Sequence, residues 1–90
     1  MKPYRQTQFN IDDNSFYRIF DMDIEDPELV WHRDKTNREC YVVEGEGWMF
    51  QFEDELPFTI REGDTIHISR MDYHRLIAGQ SRLVLKIYES

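Results

Sequence analysis

Ninety residues make one domain, near the lower end of what folds alone, and 40% of them are hydrophobic, enough for a packed core. Eighteen acidic against eleven basic residues give a net charge of −7; with no clustered basic patch, this speaks against a nucleic-acid partner and an anionic membrane surface. A single cysteine, Cys40, excludes an internal disulfide and a zinc-finger spacing, and without an apolar leader or an 18-residue apolar run the expectation is a soluble, cytoplasmic protein.

Short apolar runs alternate with Gly, Asp, Asn and Pro, the rhythm of many short strands, and no long stretch repeats every 3.6 residues. After an N-terminal arm (1–15), a first strand is expected over 16–22, broken by 23–28 with Pro27. Short 29–32 and then 39–43 follow. Glu44-Gly45-Glu46-Gly47 reads as a hairpin turn returning into 48–53. Strands at 58–61, 65–68, 74–77 and 83–88 complete the set, with tight turns at 62–64 and 78–81. About eight strands of roughly five residues predict an all-β fold, a small jelly-roll barrel over 16–90 that hides its sheet edges.

Period 2 sorts the faces. Leu83, Leu85 and Ile87 share the core face of the last strand. Cys40 has the parity of Arg38 and Val42, which suits a small buried hydrophobe, with a soft ligand as the alternative. His67, flanked by Ile66 and Ile68, points away from the core. If Met49 and Gln51 face the interior, Trp48, Phe50 and Phe52 form an outer aromatic patch; otherwise Phe50 and Phe52 fill the core.

From His32 to Ala78 the sequence resembles the cupin superfamily, whose motifs read G-x5-H-x-H-x3,4-E-x6-G and G-x5-P-x-G-x2-H-x3-N. His32-Arg33-Asp34 and the run Tyr41–Gly47 represent the first motif; Gly63-Asp64, Ile66, Ile68 and His74 represent the second, with Gly63 to His74 at the family spacing. Asp34 stands for the second histidine and Arg38 for the glutamate, while Ser69, Met71 and Ala78 replace proline, glycine and asparagine. Glu39 sits one residue from the glutamate position, on the other face of the strand unless a bulge re-aims it.

The resemblance implies a double-stranded β-helix, a homodimer, and a divalent ion held by His32, Asp34 and His74, with Glu39 the less favoured carboxylate. Two imidazoles and one carboxylate form the facial triad of non-heme iron oxygenases; iron, manganese, nickel, zinc and copper all occur in the family, and the sequence does not choose. Each residue also has a plainer role: His32 in a surface hydrogen bond, Asp34 as a turn cap, His74 at the core edge. An inward Arg38 needs a partner, either Asp34 or the carboxylate or phosphate of a small substrate; a solvated Arg is the alternative. Tyr41 and Gln51 are candidates to line the substrate pocket, Gln51 alternatively bonding a neighbouring strand.

Two functions follow in the main. One is an oxygenase- or isomerase-type metalloenzyme acting on a small anionic metabolite. The other is a non-catalytic, metal-free sensor or carrier of a small ligand. An interaction module using the aromatic face is a third. A serine or cysteine triad and a phosphate loop find no support.

Overall fold

The computed structural model describes residues 4–21 and 29–90. Its strands are β1 (Arg5–Gln6), β2 (Ser15–Phe20), β3 (Arg38–Glu44), β4 (Met49–Phe52), β5 (Phe58–Thr59), β6 (Thr65–Ile68), β7 (His74–Ile77) and β8 (Leu83–Glu89). They form two antiparallel sheets, one in the order β1-β2-β8-β3-β6 and one in the order β5-β4-β7. The expected all-β jelly roll is what the chain adopts. Met22 and the predicted break at 23–28 lie outside the described residues.

Alternation drives the core between the sheets. Leu83, Leu85 and Ile87 of β8 are buried, as are Cys40 and Val42 of β3, Phe16 and Phe20 of β2, and Ile66 and Ile68 of β6. Trp48 and Phe50 join them and Phe52 packs against the cluster, so of the two arrangements the one with the aromatics inside is found, and Met49 and Gln51 take the other side. The reason is area. Each aromatic removes ~150–250 Å² from water, whereas an inward Gln51 would bury an amide that needs partners.

Two further expectations are corrected. Residues 29–32 form no strand; only His32 pairs, in an isolated bridge to His74. The segment around Gly45 and Gly47 is no hairpin, because β3 and β4 belong to different sheets. A bulge interrupts β3 just before this segment. Val42 pairs with Leu85 and Glu44 with Val84, so two residues of β3 span one step of β8. The extra residue turns Glu44 outward, where Arg82 grips its carboxylate at 2.7 and 3.2 Å.

The β3–β4 and β7–β8 crossovers pack on each other and cover one end of the molecule. Gln80 N donates to Glu46 O (2.9 Å) and Trp48 Nε1 to Ser81 O (2.7 Å). At the other end lie the start of β3, the start of β7 and the finish of β8, which bring Arg38, His74 and Glu89 together with residues 32–34.

Candidate metal centre

One backbone pairing sets the two histidines side by side. His32 N donates to His74 O (3.0 Å) and His74 N to His32 O (2.9 Å). Their rings meet edge to face, centroids 4.3 Å apart. Residues two apart on an extended segment share a face, so Asp34 joins His32. Its position is fixed by Met71 N, which donates to Asp34 O at 2.7 Å. His74 is buried and stacks on Phe50, the planes 13° apart and the centroids separated by 5.4 Å.

Both imidazoles are oriented in the same way. His32 Nδ1 lies 2.8 Å from Val30 O, and His74 Nδ1 lies 2.8 Å from Asp72 O. A carbonyl oxygen only accepts, so each Nδ1 carries the hydrogen, and in the neutral ring Nε2 carries the lone pair. This is the outer support that metal-ligating histidines require. His32 Nε2 and Asp34 Oδ2 are shielded from solvent. His74 Nε2 lies 3.2 Å from Asp34 Oδ2, yet among the described residues no aligned hydrogen bond reaches that oxygen. Two lone pairs at this distance need a cation between them, a proton or a metal. One donor atom from each of His32, Asp34 and His74 can be chosen so that all lie within 4.8 Å of one another. Metal–ligand bonds of about 2.0–2.2 Å place donors roughly 3–4 Å apart, so modest closure completes the site. The donor set and its outer support fit a divalent ion.

Arg38 enters from the start of β3. Its Nη1 is 3.3 Å from Asp34 Oδ1; its Nη2 and Nε lie 3.0 and 3.1 Å from Glu89 Oε2, which also accepts from Thr36 Oγ1 at 3.0 Å. Arg38 and Asp34 each keep 13% of their side-chain exposure, so these pairs are largely out of water. Burial pushes the Asp34 carboxyl up; the His74 contact and the Arg38 charge, with the nearby imidazoles, outweigh it and hold the group below its usual value.

The remaining candidates lie apart. Glu39 faces outward and meets exposed His67 at 3.3 Å. Tyr41 projects from the outer face of β3. Gln51 accepts from Arg75 Nε (2.8 Å) and donates to Glu55 O (2.9 Å). Cys40 is buried and forms no disulfide. A cleft of about 520 Å³ is walled by Arg38, Glu89, Asn37, His67 and Tyr88, and not by the three donors.

Sequence reasoning passed over Glu89, although one more step of the Leu83-Leu85-Ile87 alternation reaches it, directly opposite Arg38. It also missed Arg18, which shares the inward parity of Phe16 and Phe20 and is buried against the Tyr4 ring, 4.2 Å away.

No family model matches the chain, and no curated protein matches it. Solved structures do. A Neisseria meningitidis protein, NMB1881, is 19% identical, with a TM-score of 0.67 over 100% of this chain and 88% of its own. A cupin-2 domain containing protein of Shewanella frigidimarina NCIMB 400 is 21% identical, with a TM-score of 0.65 over 93% of this chain and 76% of its own. A Ralstonia eutropha JMP134 protein, provisionally named mannose-6-phosphate isomerase, is 17% identical, with a TM-score of 0.70 over 97% and 82%. These likenesses concern the fold: the chain has the cupin fold. Among the described residues no helix is long and apolar enough to cross a membrane.

Proposed function

We propose that this chain binds one divalent metal through His32, Asp34 and His74 and acts on a small anionic metabolite as an oxygenase- or isomerase-type metalloenzyme in the cytoplasm. The observation that carries the reading is the twin support of the imidazoles: each gives its Nδ1 hydrogen to a carbonyl of its own segment, leaving Nε2 to ligate. A bound ion of this ligand set supplies Lewis acidity or a dioxygen site at its open positions. His32 and His74 hold the ion as neutral donors, and Asp34 contributes the charge. Arg38 borders the 520 Å³ cleft; its three nitrogens each contact Glu89 or Asp34, and the N–H donors left over from its five serve an anionic group. The isomerase option takes support from the name of the Ralstonia neighbour.

Metal content after purification, repeated on His74→Ala, tests this. Near-stoichiometric metal that is lost in the variant supports it. Anaerobic loading with Fe²⁺ followed by oxygen uptake with candidate carboxylates then separates oxygenase from isomerase chemistry.

One observation favours the non-catalytic reading: Asp34 already has an internal cation, Arg38, at 3.3 Å. Sub-stoichiometric metal, with anion binding that survives His74→Ala and disappears in Arg38→Gln, would select a metal-free carrier. For the homodimer, burial of Trp48 and Phe50 moves the proposed surface to Tyr17, Tyr41 and Val43 outside the five-stranded sheet. Size-exclusion of Tyr41→Lys tests it.

A further inference from the structure

Asp34 divides its two oxygens. Oδ1 faces Arg38 Nη1 at 3.3 Å, and Oδ2 faces His74 Nε2 at 3.2 Å. Arg38 is in turn anchored by Glu89 at 3.0 and 3.1 Å, and Glu89 by Thr36 at 3.0 Å. Arg38 pairs with Glu89 across β3 and β8, so the guanidinium is held on the sheet and not on the loop that carries Asp34. Resting on the metal-binding reading above, we propose that Arg38 is a positioning residue that restricts Asp34 to one ligating oxygen and so keeps one more coordination position open, while Glu89 neutralises the Arg38 charge beside the ion.

The physics gives the two residues opposite signs. A free carboxylate can clasp a metal with both oxygens. An arginine on one oxygen blocks that mode, and its positive charge opposes a second cation nearby. Removing Arg38 therefore tightens metal binding and closes a position. Removing the Glu89 charge leaves Arg38 less compensated, which weakens binding without releasing Oδ1. If both residues only maintained local structure, both changes would weaken binding and neither would alter the number of open positions.

Mn²⁺ alone is the probe, with affinity from titration and open positions from water-proton relaxation by the bound ion. Three protein donors on a six-coordinate ion leave three exchangeable waters. For Arg38→Gln the expected result is affinity higher by on the order of tenfold and relaxation lower by roughly a third. Glu89→Gln should bind on the order of tenfold more weakly with unchanged relaxation per bound ion. Should Arg38→Gln not fold, the double variant Arg38→Gln/Glu89→Gln removes both charges and must still show the lowered relaxation. Unchanged relaxation in every folded variant lacking Arg38, or weaker binding in Arg38→Gln, overturns the proposal while leaving the metal site standing. Absence of Mn²⁺ and Fe²⁺ binding by the unmodified protein overturns the metal reading and this inference with it.

Discussion

His74 stacks its ring on Phe50 at 5.4 Å while turning Nε2 to within 3.2 Å of Asp34. Packing and the proposed ligation thus use different parts of one side chain, and substitution separates them. His74→Phe keeps a stacked ring and removes both nitrogens. Metal content should fall to background, while the melting temperature measured in chelator shifts by no more than a few degrees.

Acid should unfold the metal-free protein through its carboxylates. Asp13, hydrogen-bonded by Ser15 and near Lys86, and Glu44, gripped by Arg82, are both held below their usual values, as is Asp34. A carboxyl depressed in the folded state contributes stability fully above its unfolded value, about 4, and loses it as pH falls through the folded one. Urea midpoints should therefore be flat from neutrality to about pH 5 and drop steeply below pH 4. Asp34→Asn should show a shallower drop; an unchanged pH profile would refute the role given to this group.

Trp48 is buried and donates Nε1–H to Ser81 O at 2.7 Å. Trp48→Ser should cost about 3–5 kcal/mol in urea unfolding. A folded monomer of near-normal stability would contradict its core position.

Gly79 has no room for a side chain. A Cβ there would strike Glu46 O and lie 2.5 Å from Trp48 N, both backbone atoms of the other crossover. Gly79→Ala should destabilise by about 1–3 kcal/mol, read as a lowered urea midpoint. A neutral substitution would show that the two crossovers are not so closely packed.

Strand identity was legible wherever period 2 ran unbroken. The alternation of Leu83, Leu85 and Ile87 gave the core face of β8, and the outward His67 followed from its neighbours. Parity left Arg38 open between an inward position, against Asp34 or a small anion, and a solvated one; its contacts are with Asp34 and Glu89. The boundary between sheets was not legible, because Glu44–Gly47 has the composition of a hairpin whether or not the chain changes sheets. The bulge after Val42 was equally hidden, since nothing in the residue types there marks it. Faces in β4 were ambiguous because Met49 and Gln51 alternate with three aromatics, and long-range packing against Leu76 resolved them. The support of each imidazole by a carbonyl two residues earlier depends on backbone direction, which side-chain types do not encode.

The reciprocal amide bonds between His32 and His74 give the site a built-in gauge. The two backbone segments cannot part without exposing both NH groups, so their deuterium uptake should rise and fall as a pair. An ion that knits the rings together would slow both rates at once, and peptide fragments from two distant parts of the chain would report the same event.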